Sequence, residues 1–279
     1  MTTGIRIYDL EFGHSPSVSA TQNPQRIRWL RDGPPTAVSF FTDRCLEQAP
    51  LVNCRTKVAW LIEPTTVPAS QHERIIALSQ HFDWVLSYNR ELLWLGGDKF
   101  RFYPFGGCWI PPEKVGMHKK TRLVSMLASA KDGCFGYRLR HEAAKRFSDK
   151  MDVFGMVANR PVACKTEALG DYCFSVVIEN AMMDDWFTEK IVDCFACGTI
   201  PFYWGTRYIG DHFDQSGILS FGDGKSIEDD VDQLGRCLDV LSPSLYERMR
   251  QFAELNLKRH FDYRCAEDWI LRYHPDLIL

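Results

Sequence analysis

Nowhere do roughly 18 apolar residues run together in this chain, so the sequence predicts no bilayer-crossing helix. Neither sign of charge dominates. There are 33 Lys and Arg against 36 Asp and Glu, a formal net charge of -3. Such a balance gives no long-range field toward nucleic acid or anionic lipid, and an anionic ligand has to be caught by a local site. Internal repeats and low-complexity tracts are absent. With 45% hydrophobic and 25% charged residues, the disordered, collagen-like and coiled-coil classes are excluded. The opening residues, Met1-Thr2-Thr3-Gly4-Ile5-Arg6-Ile7-Tyr8, lack a basic segment followed by an apolar one. No secretory leader is therefore expected, and the expected compartment is the cytoplasm. Ten cysteines are scattered at 45, 54, 108, 134, 164, 173, 194, 197, 237 and 265. A disulfide scaffold would be shorter and more densely cross-linked. Only Cys194 and Cys197 form a CxxC; no second pair lies near to complete a zinc site, and burial on a helix explains them. No metal site is expected.

The chain does contain a regular alternation. Strand-like runs lie at 5–10, 37–42, 57–62, 84–88, 123–128, 152–155, 172–178 and 199–204, with helical spacing at 71–82, 138–147 and 189–197 between some of them. Alternation of this kind predicts parallel sheets covered by helices, the α/β class. A chain of 279 residues is long enough for two such domains. The polar, Pro- and Gly-bearing stretch 110–120 marks a boundary. The predicted division is an N-terminal α/β domain 1–115, a C-terminal α/β domain 116–255 and a helical tail 256–279 packing back on the first. Ser242-Pro243 starts a helix running toward Lys258.

The richest stretch runs from Asp171 to Gly205. Residues 172–178 read as a strand buried on both faces, with Glu179 and Asn180 at its carboxyl end. Thr188 is an N-cap for a helix whose apolar face is Ile191, Val192, Phe195 and Ala196, and Gly198 ends it. Ligands of βαβ units collect outside the carboxyl ends of the strands. Lys190 in the first helical turn, beside free N–H groups, suits a diphosphate, and Glu189 suits hydrogen bonds from what the phosphate carries. Both also read as solvated helix-start charges. Arg138, read as opening the helix after the strand at 123–128, would project from the same pole; from the residues alone, Arg138 and Arg140 read first as surface charges pairing with Glu142. Glu63, at the end of the strand 57–62 and before Pro64, reads either as a general base or as a turn carboxylate. Asp230-Val231-Asp232 spells Asp-x-Asp, but lies in an acidic helix start and reads as a cap. Trp29, Trp94, Trp109 and Trp269 read as core fillers. His14, near the first strand's end, is a residue that could face an acceptor, while His260 and His274 are not.

Three ordered matches resemble the α-1,3-fucosyltransferase family. One is Phe174-Ser175-Val176-Val177-Ile178-Glu179-Asn180 with Phe187-Thr188-Glu189-Lys190 and Gly198-Thr199-Ile200-Pro201-Phe202-Tyr203-Trp204-Gly205. Another is Trp60-Leu61-Ile62-Glu63-Pro64 with Tyr103-Pro104-Phe105-Gly106-Gly107. The third is Ser125-Met126-Leu127-Ala128-Ser129, then Arg138 and Asp152-Val153-Phe154-Gly155. The resemblance implies a GT-B fold, two Rossmann-like α/β domains facing a central cleft. It implies GDP-fucose as donor, no cofactor, and inverting, metal-independent transfer to a hydroxyl of a glycan acceptor, in α-1,3 linkage. It also implies Glu63 as general base, Arg138 and Lys190 on the diphosphate, Glu189 on the fucose, and Glu179 and Asn180 on the nucleotide side. Trp186 and Thr188 complete the implied donor-binding set. Trp186 stands where the family has Tyr, and Ala130 where many members have Asn; both substitutions bear on donor choice. The resemblance is expected to be to soluble microbial or viral members, without the anchor and stem of animal members. A transferase using another nucleotide sugar, and a catalytically silent binding module of the same fold, are the alternatives.

Overall fold

The computed structural model describes residues 2–10, 12, 17, 22–66 and 71–278; His14 lies outside them. Two compact units emerge. One comprises Met1–Gly107, Asp184–Trp186 and Asp262–Leu279, the other Cys108–Met183 and Phe187–Phe261. The chain thus passes between units at residues 107/108, 183/184, 186/187 and 261/262, where the sequence reading divides it only after 115 and 255.

The first unit holds β1 (Thr3–Tyr8), β2 (Ile27–Leu30), β3 (Val38–Thr42), β4 (Thr56–Trp60), α1 (Ile75–Leu78), β5 (Trp84–Ser87), α2 (Arg90–Gly96) and β6 (Phe100–Phe102). Its strands form one sheet in the order β2-β1-β3-β4-β5-β6, with all pairs parallel. Alternate residues of β4 feed opposite faces, as a period of two requires. Val58 and Trp60 join Ile5, Ile7 and Trp29 on one side, while Ala59 and Leu61 join Phe41, Ile75 and Val85 on the other.

The second unit begins with β7 (Arg122–Leu127), α3 (Phe135–Phe147), β8 (Asp152–Phe154), α4 (Thr166–Leu169) and β9 (Tyr172–Ile178). It continues through α5 (Glu189–Ala196), β10 (Ile200–Trp204), β11 (Leu219–Ser220), α6 (Ile227–Leu238) and α7 (Pro243–Tyr263), whose last two residues already belong to the first unit. Helix α8 (Ala266–Tyr273) returns to the first unit, where Trp269, Ile270 and Leu271 pack on the Ile5 and Trp29 face. The second sheet runs β11-β10-β9-β7-β8, again parallel throughout. Its order reverses between β7 and β9, which creates a crevice at their carboxyl ends. Every residue of β9 is buried, because sheet neighbours flank it and helices cover both faces.

The α/β class and the GT-B expectation of two parallel sheets are met, with local departures. The helix expected at 71–82 is only the single turn α1 followed by a 3₁₀ turn, since Ile75 is buried but Ile76 is exposed. An isolated turn with so little apolar face does not propagate. Helix α3 starts at Phe135, placing Arg138 a full turn inside it.

Candidate functional site

The second unit contains a cavity of about 520 Å³ at the β7/β9 reversal. Leu127, Ala128 and Ser129 from the end of β7 and Ile178 and Asn180 from the end of β9 line it. Four cations, Lys131, Arg140, Lys165 and Lys190, face two carboxylates, Glu189 and Asp193, around it.

A close approach sets the geometry of one wall. Gly136 in the first turn of α3 donates its N–H to Asn180 O (3.2 Å). A Cβ there would come within 1.9 Å of Glu179 O. This contact seats the helix on the end of β9 and brings Arg140, one turn later, beneath it. Arg140 is 4% exposed. Its Nε donates to Ile178 O (2.7 Å) and its Nη2 to the same carbonyl and to Asn180 Oδ1 (3.0 Å). Burial pulls its pKa down, opposed by the charge of Glu179; a guanidinium nevertheless stays charged.

Opposite stands the start of α5. Glu179 is fully buried, and its carboxylate accepts Thr188 N–H (2.9 Å) and Oγ1–H (2.8 Å). The loop after β9 is thereby tied back to the strand end. Thr188 caps the helix by accepting Lys190 N–H (3.4 Å). Lys190 Nζ lies 2.9 Å from Thr188 Oγ1, 3.4 Å from Glu179 and 3.5 Å from Glu189. From the turn before α4, Lys165 Nζ bridges Asp193 (2.7 Å) and Glu189 (3.2 Å) and lies 5.0 Å from the Trp109 ring centroid. Asp193 in turn accepts Trp109 N–H (2.6 Å). Burial alone would raise the Glu189 pKa, but Lys190 and Lys165 outweigh it and hold the carboxyl well below its usual range. For Lys165 burial is likewise overcome, by Asp193 and Glu189, and its pKa rises. The cavity therefore presents an ionised carboxylate, a bridged ammonium and three further cations beside a helix N-terminus, an arrangement that suits a diphosphate joined to a hydroxyl-rich group.

Of the residues expected here, Asn180, Glu189 and Lys190 line the cavity, whereas Arg138, Glu179, Trp186 and Thr188 do not. Arg138 is exposed on the other side of α3, because two residues on a helix are about 200° apart. Glu179 and Thr188 stand behind the wall and brace it. Ala130 is exposed and outside the lining. Trp186 belongs to the first unit, is 2% exposed and donates its indole N–H to Ile62 O (3.2 Å). Arg140 had a sequence signal: with Gly136, Leu139, Ala143 and Phe147 it falls on the inward stripe of α3, and an arginine on such a stripe needs a partner. Lys165 and Lys131 carried no comparable signal. Trp29 and Trp269 are core residues, Trp94 is 82% exposed, and Trp109 lies at the cavity.

In the first unit Glu63 is half-buried just beyond β4. The Asp-x-Asp is built into packing. Asp230 is buried and accepts Trp204 Nε1–H (2.8 Å), Asp223 N–H (2.8 Å) and Gly224 N–H (3.1 Å), and Asp232 pairs with Arg146 on the surface. Among the described residues, no group of three or more His, Cys, Asp or Glu side chains could hold a metal ion.

Residues 117–243 match the family described as glycosyltransferase family 10 (fucosyltransferase) C-term. The likeness to that family covers this segment, under half of the chain. A 70-residue segment is 31% identical to the α-(1,3)-fucosyltransferase FucT of Helicobacter pylori, covering 25% of this chain and 15% of that protein's length. A solved α1,3-fucosyltransferase with GDP-fucose superposes with a TM-score of 0.56 at 16% identity, over 94% of this chain and 89% of the other. A structure of the α1,3-fucosyltransferase with GDP gives 0.55 at 15% identity with the same coverage. Sucrose-phosphate synthase from Thermosynechococcus elongatus gives 0.52 at 9% identity, over 86% and 72%. At these identities the structural likenesses speak for the fold. Apart from 184–186, the matched segment lies within the unit that contains the cavity, and no described helix is long and apolar enough to cross a membrane.

Proposed function

We propose that the chain is an inverting glycosyltransferase that moves fucose from GDP-fucose to a hydroxyl of a glycan acceptor, in α-1,3 linkage, without a metal. The observation that carries this reading is the gathering of Lys131, Arg140, Lys165 and Lys190 around a cavity at the β7/β9 reversal, within the segment that matches family 10. In this reading Arg140, in place of Arg138, and Lys190 hold the diphosphate, the first as a planar fork and the second as a point charge. The N-terminus of α5 adds its N–H groups. Together they oppose the negative charge that grows on the departing GDP, the task a metal performs in other transferases. Glu189, kept ionised and oriented by Lys165, accepts hydrogen bonds from the sugar hydroxyls. Glu63 takes the acceptor proton as the acceptor oxygen attacks the anomeric carbon from the face opposite GDP. Asn180 fixes the Arg140 guanidinium. Trp186, whose indole N–H is engaged with Ile62 O, has no assigned donor contact in this reading.

Calorimetric titration with GDP, UDP and ADP tests the donor. GDP is expected to bind most tightly, and Lys190→Ala to weaken it about 10- to 100-fold, the cost of one charge-assisted contact. A preference for UDP or ADP would overturn the fucose assignment. Turnover of GDP-fucose that is abolished by EDTA and restored by Mg²⁺ or Mn²⁺ would overturn the metal-free part.

A further inference from the structure

The peptide that carries Glu63 is gripped from three sides by side chains of the first unit. Asp43, just after β3 and fully buried, receives the N–H of Ile62 (3.3 Å) and of Glu63 (3.2 Å) on its carboxylate. Tyr88, just after β5, donates its hydroxyl to Glu63 O (3.1 Å). Trp186 donates to Ile62 O (3.2 Å). Four consecutive backbone groups beyond the paired part of β4 are thus satisfied by three side chains from distant points of the sequence, not by a neighbouring strand. Burying a carboxylate costs several kcal/mol unless it is well paired, so a grip built on Asp43 is not incidental to the fold.

Trp186 is itself held. Its ring packs on Tyr88 with centroids 6.3 Å apart. Its neighbour Asp185, 2% exposed, forms a two-pronged ion pair with Arg90, one contact of which is 3.0 Å. Asp185 adopts φ of 52°, a left-handed conformation that a non-glycine residue keeps only where its surroundings determine it. Arg90 supplies that determination, and the segment Asp184–Trp186 is thereby fixed against the strand end. Pro64 restricts Glu63 further from the other side.

We propose that Trp186, acting with Asp43 and Tyr88, is a positioning residue for the Glu63 carboxylate: its indole N–H fixes the Ile62–Glu63 peptide and so sets the direction in which the base leaves the strand. This rests on the reading of Glu63 as general base. A tyrosine at this position has no indole N–H, so the Trp marks a contact to the base-bearing strand, not a change of donor.

The test uses the full chain and three variants, Trp186→Phe, Tyr88→Phe and Glu63→Gln, with GDP release from GDP-fucose in water and with lactose offered as acceptor. Each is also measured for GDP affinity by calorimetry and for its thermal midpoint. Trp186→Phe and Tyr88→Phe are expected to lower kcat about 10- to 100-fold, the scale of a small misplacement of a reacting group. KM for GDP-fucose and the GDP affinity are expected to stay within about twofold. A purely structural role would lower the midpoint and leave kcat of the folded fraction intact. Folded variants with parental kcat, or a loss of GDP affinity matching the loss of rate, overturn the positioning role. Should Trp186→Phe not fold, Tyr88→Phe decides by the same criteria. Parental kcat in Glu63→Gln, or no GDP release by the parent, defeats the underlying reading instead. An inactive Glu63→Gln beside fully active phenylalanine variants defeats the positioning role alone.

Discussion

Two arginines, one turn-fraction apart, separate what the residue pattern conveys from what it leaves open. Arg138 and Arg140 carry the same chemistry, and a motif alignment alone chooses between them by distance from neighbouring landmarks. The helix chooses by face. Arg140 lies on the stripe with Leu139 and Ala143 and is drawn under Ile178 and Asn180; Arg138 points to solvent. Arg140→Ala is expected to weaken GDP binding about 10- to 100-fold, by losing a charge-assisted contact and leaving Ile178 O short of a donor. Arg138→Ala is expected to change it less than about twofold, as exposed substitutions usually do. Calorimetry on the two variants checks both. Asn180, Glu189 and Lys190 were legible because a strand end, an N-cap and a helix start leave signatures in adjacent residues. Glu179 and Thr188 were legible as important but not as to their place, because spacing does not tell a lining residue from the one behind it. Lys165 reaches Glu189 from 24 positions away, a separation no local pattern encodes.

At the scale of elements, the central strands were readable and three edge strands were not. Runs such as β9 and β10 are continuously apolar because both faces are covered. β2, β6 and β11 each stand at a sheet edge; they are two to four residues long, and β2 and β6 carry an arginine among their apolar residues. Such brevity and charge guard edges against pairing with other chains, and hide them from a pattern search. The seating of α3 on β9 is a second case: Gly136 reads as an ordinary loop-side glycine until its distance to Glu179 O is known. Gly136→Ala is expected to push α3 off the strand end, at a cost of about 1–3 kcal/mol for an overpacked contact. Because Arg140 rides on that helix, GDP affinity is expected to fall with stability. Urea unfolding and calorimetry on one preparation measure the pair; an unaffected affinity in a destabilised variant would separate the helix's seating from the site.

For the molecule as a whole, the α/β class and two parallel sheets followed from the alternation of elements, while the chain's crossings between units did not. Segment 184–186 leaves the second unit for three residues only, and nothing in its composition announces that. All ten cysteines are free, and seven are buried. Burial pushes the Cys197 thiol up to about 12 and Cys194 well above its ordinary value, so both stay protonated and inert. Alkylation of the native protein is expected to modify Cys54, Cys164 and Cys237 first, these being the half-buried ones. Peptide mass spectrometry after timed quenching reads the order, and early labelling of Cys194 or Cys197 would contradict the packing around α5.

The first unit also contains α8. Trp269, Ile270 and Leu271 cover Ile5, Ile7 and Trp29, and Glu267 accepts the indole N–H of Trp29 at 2.7 Å. A ribosome delivers α8 only after the whole of the second unit. The sheet that includes β1 therefore waits, one face uncovered, through translation of the second unit, which has all its own residues in hand sooner and is free to fold first.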